Sequence, residues 1–412
     1  MNILLRKLIS DVPGDTRENF LRDCFGNVMS GLQTALFCNF FAIVAKKYLA
    51  ATAFQIAIMN SMGFLCGFVA VIVASCVPLN KENKYIGYLG IISNLFLICA
   101  IPFIKSSAAF TAVYIIYSLI ASYQPLYMVV IERLYRQEIR AQLMGRAKCF
   151  MAVTSIIFSF VGGFVIEKDF CAFESWRIVF MMASVFYICN FIFCFYMWKV
   201  PPATEKKESP LKFLKSSFRL LKTDIPNTWL IVSGCFFTVA FVLLNTLIPI
   251  YQDNVLHIGP KEIGILLFVQ NIFWAFGYPV FGQFIAKKGA VTGWILTCVF
   301  GAFLPLGYII ITGSWTYLMI FYALFGIFMT GNDLAWANIL FHVTKGKNAT
   351  EYQSLHYFFI AVRGAVALGV STWTIGFAEK IHLDYRWVFG VVILTFLISS
   401  VIICQVFQKN HS

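Results

Sequence analysis

Two ionisable side chains, Asp333 and Arg363, stand inside long apolar stretches of the sequence. A charge is expensive to hold within a membrane, so such residues are functional candidates by default. Their depths differ by about 5–8 Å at a rise of about 1.5 Å per residue, a gap that an arginine side chain can close. We therefore predict a charge pair. Three roles stay open for it: a proton or substrate switch at Asp333, an anion site at Arg363, or a structural fastening.

Uncharged polar and aromatic residues recur at helical spacing in similar stretches. Thr238, Asn245 and Gln252 are each seven residues apart and so share one helical face. Aromatic walls with a few convergent polar groups are what a small-molecule pocket needs. For any one residue, an interhelical hydrogen bond of about 1 kcal/mol or less is the alternative role. The predicted substrate-binding set is Gln33, Phe37, Tyr117, Gln124, Thr238, Asn245, Gln270, Trp274, Trp336 and Arg363.

The elements that must position these residues are apolar segments. Hydrophobic residues make up 60% of the 412 residues and charged residues 12%, which excludes an ordinary soluble protein. A helix of about 20 apolar residues crosses the roughly 30 Å hydrocarbon core. Barrel strands of about ten alternating residues do not fit the continuous apolar runs, so an all-α membrane protein is predicted. Its twelve spans, numbered in chain order, fall at 24–45, 54–77, 86–104, 108–131, 145–166, 176–197, 229–251, 262–285, 291–312, 315–340, 352–376 and 386–407.

Positive charges divide unevenly between the predicted loops. If the termini and alternate loops are taken as one side, only eight of the 32 Lys and Arg residues fall on the other side. Cytoplasmic loops carry such an excess, so both termini are predicted to be cytoplasmic. The net charge of +13 is thus a topology signal. It favours contact with anionic membrane lipids and does not argue for nucleic acid.

The longest polar stretch, 198–228, divides the spans six and six. Leu211, Leu214 and Phe218 share a face within it, which predicts a basic amphipathic helix on the cytoplasmic surface; a merely solvated linker is the alternative. The predicted domains are therefore a cytoplasmic N-terminal segment at 1–23, a six-helix bundle at 24–197, the linker at 198–228, a second six-helix bundle at 229–407 and a cytoplasmic tail at 408–412.

A weak internal echo accompanies this division. Trp176-Arg177 enters span 6 and Arg386-Trp387 enters span 12, each followed shortly by Val-Phe. Interfacial anchoring alone can produce such a pattern. Its matching position in the two halves favours an internal duplication.

Several motifs resemble the major facilitator superfamily of secondary transporters. The segment from Gly282 to Lys287-Lys288 after span 8 resembles half of the cytoplasmic loop signature of that family, and the segment from Arg140 to Gly145 resembles its Arg–Gly segment between spans 4 and 5. The resemblance implies the major facilitator fold, two six-helix bundles that move about a midplane site. It also implies a gating role for Arg140, Gly145, Gly282, Lys287 and Lys288.

Departures from the family pattern also carry information. The stretch between spans 2 and 3, from Cys76 to Lys84, lacks the usual Gly–Asp frame, and Ala286 stands where an Asp is usual after span 8. The carboxylate-to-helix latch of the family is therefore not expected in its usual form. The segment Gly331-Asn332-Asp333 resembles a bacterial subgroup that offers no substrate to carry over, and it favours a bacterial inner membrane.

The expected function is secondary active transport of a small organic solute by alternating access, with proton coupling an open choice. Arg363 favours an organic anion or zwitterion as substrate. Proton-linked export of amphiphilic or cationic compounds is one alternative, and a non-transporting receptor or scaffold is another. The sequence has no Walker loop, catalytic cluster or metal-ligand spacing, so no enzyme activity, cofactor or metal is expected. The expected partners are the substrate, protons and membrane lipids, and we expect a monomer.

Overall fold

A computed structural model describes residues 12–78, 80–135, 137–168, 174–197, 200, 221–311, 314–344 and 349–408. These residues form helices and short connections, and no strand occurs among them. Eleven helical segments are long and apolar enough to cross a membrane, and a shorter apolar helix, Ser107–Ile120, supplies the first part of span 4. The all-α class predicted from hydropathy is confirmed.

The helices assemble into twelve crossings; spans 1, 2, 4 and 9 are each interrupted once, and span 1 also contains a π-helical turn. Span 1 comprises Gly14–Gln33, the π-helical turn Thr34–Cys38 and Phe41–Lys47; span 2, Ala53–Leu65 and Gly67–Cys76; span 3, Glu82–Ala100; span 4, Ser107–Ile120 and Gln124–Leu134; span 5, Gln137–Glu167; span 6, Ser175–Met197; span 7, Ile225–Asn254; span 8, Pro260–Lys288; span 9, Ala290–Gly301 and Phe303–Ile310; span 10, Leu318–Thr344; span 11, Ala349–Lys380; and span 12, Tyr385–Gln408. We call the side where Gly14 and Gln408 lie the terminal side, and the opposite side the far side.

Span 1 begins at Gly14, before the predicted start at 24. Its first turns are amphipathic, because Phe20 and Asp23 are buried whereas Arg17 and Glu18 are exposed. Mean hydropathy is low where charges occupy one face of a helix, so the sequence prediction began the span too late. The amphipathic helix predicted in the linker, like residues 1–11 and 409–412, lies outside the described residues.

The similar sequences at the starts of spans 6 and 12 make equivalent contacts in the two halves. Arg177 at the start of span 6 donates to the Ile101 carbonyl at the end of span 3, over 3.1 Å. Arg386 at the start of span 12 donates to the Ile311 carbonyl at the end of span 9, over 3.0 Å. In each half an arginine at the start of the last helix thus donates to a backbone carbonyl just beyond the end of the third helix.

The two halves meet chiefly along two pairs of helices, span 2 with span 11 and span 5 with span 8, and span 7 also contacts spans 1 and 2. On the far side the approach is backbone to backbone, since a Cβ on Gly163 would lie 2.5 Å from the Pro260 carbonyl oxygen. Asn60 of span 2 also donates to the Asn245 carbonyl of span 7 over 3.1 Å. The far ends of the two bundles are therefore closed against each other in this structure.

A buried hydrogen-bond cluster joins spans 7, 9 and 10 near the far side. Gln252 is 2% exposed and donates to the hydroxyls of Tyr308 and Tyr322, over 2.9 and 3.0 Å. Gln252→Leu is expected to destabilise the fold by about 1–3 kcal/mol, because it leaves buried hydroxyls short of partners. The measurement is the apparent melting temperature in detergent, with the exposed Gln283→Leu as control. Equal melting temperatures for the two variants would contradict this role of Gln252.

Candidate functional site

Arg363 lies in span 11 with 3% of its surface exposed. Its Nε donates to the Phe359 carbonyl over 3.2 Å, and its guanidinium carbon lies 5.0 Å from the centroid of the Trp336 ring. Nη2 is buried and has no hydrogen-bond partner among the described residues. A buried donor left unpaired on a charged group is costly, so this nitrogen is expected to have a partner at some stage of the working cycle.

Gly234 of span 7 makes room for this guanidinium. A Cβ at that position would lie 1.8 Å from Arg363 Nη1, so no other residue fits while the arginine keeps its place. The Thr238 hydroxyl, one turn on, donates to the Gly234 carbonyl over 2.8 Å, which directs the hydroxyl along its own helix. The backbone of span 7 thus forms one wall of the arginine site, and Trp336 of span 10 forms another.

A line of polar groups continues from Trp336 towards the terminal side. The Trp336 ring lies 5.7 Å from the His356 ring, and His356 Nε2 is 2.8 Å from Asn227 Oδ1. His356 is 1% exposed and Asn227 is fully buried. The second ring nitrogen of His356 and the amide nitrogen of Asn227 have no partners among the described residues. Spans 7 and 11 therefore hold three buried polar groups with unused hydrogen-bonding capacity, on Asn227, His356 and Arg363, all within the second bundle.

Asp333 does not pair with Arg363, so the predicted charge pair is absent from this structure. The Asp333 carboxylate instead accepts a hydrogen bond from the Tyr278 hydroxyl over 2.5 Å and lies 3.4 Å from Lys148 Nζ. The prediction compared depths along the helices, but depth does not fix the direction in which a side chain points. On span 10, Trp336 occupies the side that faces Arg363, and Asp333 faces spans 8 and 5.

The candidates in the first bundle lie inside its packing. Gln33 donates to the Tyr117 hydroxyl over 2.6 Å. Phe37 is 1% exposed, and its ring packs edge-on against Phe180 at 4.9 Å between centroids. In this conformation these three residues tie spans 1, 4 and 6 together. The side chain of Gln124 lies outside the described part of the chain.

The remaining substrate-binding candidates lie on spans 7 and 8. Asn245 is half-buried, and its amide donates to the Phe241 carbonyl of its own helix over 2.7 Å. Gln270 is 7% exposed, and within the described residues its side-chain amide has no hydrogen bond. Trp274 is 4% exposed and lies 6.3 Å from the Tyr278 ring. The structure thus places Trp274 beside Tyr278, the residue that binds Asp333, and away from Arg363.

The residues assigned to gating by resemblance lie near the ends of spans on the terminal side. A Cβ at Gly145 or Gly282 would meet no atom within 4 Å. Lys287 and Lys288 are exposed in the last turn of span 8, which ends at Gly289 with a φ of 87°. Cations in the last turn of a helix interact favourably with the helix dipole, and the gating role of both lysines stays a prediction. The Arg140 side chain lies outside the described residues.

Sequence reasoning misses two residues that contact Asp333, Lys148 and Tyr278, and a third residue, Asp23, in the first bundle. Lys148 lies close to the predicted start of span 5, next to the basic residues of the preceding loop, so its sequence position indicates no special role. Tyr278 was one of many aromatic residues without a distinguishing pattern. Asp23 fell just before the predicted start of span 1. The amphipathic turn around Phe20 and Asp23 was the signal that could have found the last of these.

The chain resembles known transporters in both sequence and fold. The family model for the Major Facilitator Superfamily matches residues 24–314 and 256–411. A bacterial homologue of the human lysosomal transporter Spinster, inward-facing and unoccupied, is 13% identical with a TM-score of 0.59 over 96% of each chain. Its occupied, inward-facing form is 11% identical, with a TM-score of 0.62 over 96% of this chain and 97% of that one.

A nucleoside transporter, NupG, in a single-residue variant, is 13% identical with a TM-score of 0.63 over 94% of this chain and all of its own. No curated protein sequence matches this chain. At such low identity the solved structures establish the fold and leave the substrate open.

Proposed function

The chain belongs to the major facilitator superfamily, and from this premise we propose that it carries a small organic anion or zwitterion across the membrane by alternating access. Membership makes it a multi-pass secondary transporter and not an enzyme. The anion and its anchor are our proposals.

The observation that carries the proposal is the Arg363 guanidinium with its unpaired Nη2. A carboxylate or phosphate oxygen is the acceptor that best matches a guanidinium, through charge-assisted and often bidentate hydrogen bonds. Trp336 covers one face of the guanidinium, and the absence of a side chain at Gly234 leaves room for its edge. The guanidinium is therefore held in place before a ligand arrives. Such preorganisation reduces the entropy lost on binding.

The setting of Arg363 also favours a site that both sides of the membrane can reach in turn. The residue lies part-way along span 11, between the closed far side and the terminal side. Midplane sites between two repeats are the usual arrangement in secondary transporters. We further propose that both termini are cytoplasmic in a bacterial inner membrane, as the loop charges favour. In that orientation the far side is the outer side.

A ligand screen on the purified protein tests the substrate class. A ligand that binds only the folded state raises its apparent stability, by about 2.7 kcal/mol at a concentration of 100 times Kd. We expect small carboxylates or phosphates to raise the melting temperature, and the same compounds to enter reconstituted vesicles. The uptake assay is repeated with an imposed pH gradient, which tests whether transport is coupled to protons. If only lipophilic cations or neutral compounds raise the melting temperature, the anion proposal is wrong, and proton-linked export of such compounds is favoured instead.

A further inference from the structure

Lys148 joins the two bundles on the terminal side. It lies in span 5 of the first bundle, and its Nζ is 3.4 Å from an oxygen of Asp333 in span 10 of the second bundle. The lysine side chain is 29% exposed and the aspartate side chain 19% exposed. Tyr278 holds the other carboxylate oxygen over 2.5 Å. Asp333 is therefore fixed within its own bundle, and Lys148 is the partner that must leave it if the bundles separate here.

A second carboxylate, Asp23 of span 1, lies near Lys148 within the first bundle. Asp23 is 3% exposed and accepts hydrogen bonds from the Tyr135 hydroxyl over 2.8 Å and from the Asn27 amide over 3.1 Å. The chain neighbours of Asp23 and Lys148, Cys24 and Ala147, pack in one buried cluster, and the positive charge of Lys148 acts on the Asp23 carboxylate. Within the described residues, however, no cation lies within ion-pairing distance of Asp23. A buried carboxylate with donors but no cation is an incomplete site for an ammonium group.

The phenol of Tyr135 is a stable donor to this site. Burial, followed by the proximity of the Asp23 charge, raises the pKa of Tyr135 well above its ordinary value, so the hydroxyl stays protonated. Tyr135 lies just beyond the last turn of span 4, in the first bundle. The acceptor site for Lys148 is thus built entirely from elements that move together with Lys148.

We propose that Lys148 is a charge switch that pairs with Asp333 across the bundle interface when the terminal side is closed and with Asp23 inside its own bundle when that side opens. The two carboxylates belong to different bundles, so Lys148 cannot stay close to both once the bundles separate on the terminal side, and the two pairings compete. Pairing with Asp23 offsets the loss of the bridge to Asp333 and keeps the two states close in free energy, as a cycling transporter requires. The inference rests on the proposed alternating access and is independent of the substrate.

Hydrogen–deuterium exchange of the full-length protein in detergent, without substrate, tests the switch. The readout is the exchange of peptides that cover 143–151 of span 5 and 274–281 of span 8, which face each other beside the bridge. Asp23→Asn removes the competing partner and is expected to slow this exchange about two- to fivefold, the effect of a partly exposed ion pair. Tyr135→Phe removes only a donor, so Asp23 should compete harder for Lys148 and exchange should rise by a similar factor.

Opposite signs from two changes at one site separate a switch from general loosening. Glu82→Gln is the matched control, because Glu82 is also 3% exposed in the first bundle but pairs with Arg133 of the same bundle, over 2.8 Å. Glu82→Gln should leave the exchange of both peptides as it is in the wild-type protein. Unchanged exchange in both test variants, or a shift of the same sign in both, would overturn the switch. If Asp23→Asn does not fold, a rise in Tyr135→Phe with unchanged exchange in Glu82→Gln supports the switch, and no rise in Tyr135→Phe overturns it.

The result is separable from the anion proposal. Opposite shifts together with an absence of anion binding would support the switch and refute the proposed substrate class. Anion binding with unchanged exchange would support the proposed substrate class and refute the switch.

Discussion

Arg363→Gln is expected to reduce anion transport by about 30-fold or more while raising the melting temperature of the ligand-free protein. Removing one partner of a buried, hydrogen-bonded charge pair weakens binding by about 2–5 kcal/mol. In the absence of ligand the same change relieves a buried charge whose Nη2 has no partner, so the fold should become more stable. The measurements are initial uptake rates in vesicles and melting temperatures with and without the stabilising anion.

Two further arginine variants test whether this effect is specific to the guanidinium of Arg363. Arg386→Gln is the matched control, because Arg386 caps the Ile311 carbonyl at the far side and lies outside the proposed site. It should leave anion-dependent stabilisation intact. Arg363→Lys keeps a charge but loses the planar fork, so it should retain only part of the affinity. If Arg363→Gln transports anions at the wild-type rate, Arg363 is a structural residue and the anchor lies elsewhere.

The sequence was sufficient to find Arg363 but not its surroundings. An ionisable residue in an apolar helix is conspicuous, because hydrocarbon penalises it whatever the tertiary structure. The partner of Asp333 depends on rotation about the helix axis, and hydropathy does not contain that rotation. Lys148 and Asp23 lie in turns where charges lower the mean hydropathy, so hydropathy leaves Lys148 at the edge of span 5 and assigns Asp23 to the N-terminal segment.

Burial also separates residues that a shared helical face grouped together. Phe37 and Trp336 are both aromatic residues on predicted inner faces, yet Phe37 packs within the first bundle and Trp336 contacts the guanidinium of Arg363. Periodicity identifies the inner face of each helix, but that face is shared between the bundle core and the interface with the other bundle. Only the packing of the two bundles shows which residues of the inner face lie in a bundle core and which lie at the interface.

Gly163→Leu is expected to lower the transport rate about tenfold or more by preventing closure of the far side. A Cβ at this position would lie 2.5 Å from the Pro260 carbonyl oxygen and 3.0 Å from the Gly264 Cα, and backbone atoms cannot rotate away. Overpacking of a tight contact costs about 1–3 kcal/mol, which here falls only on the conformation with the far ends in contact. The structure shown would therefore become a minor state, and the cycle would stall before the terminal side could open.

Exchange measurements distinguish this blockade from a damaged fold. Amides of 160–167 and 258–264 should exchange faster in Gly163→Leu, while the Gln252 cluster stays protected. Gly264→Ala should act in the same direction but more weakly, because its Cβ would stand 3.0 Å from the Ser159 carbonyl oxygen. Gly369→Ala is the control, since nothing lies within 4 Å of its Cβ. Normal uptake by Gly163→Leu would mean that the bundles need not touch at this point, and the far-side contact would then have no part in the cycle.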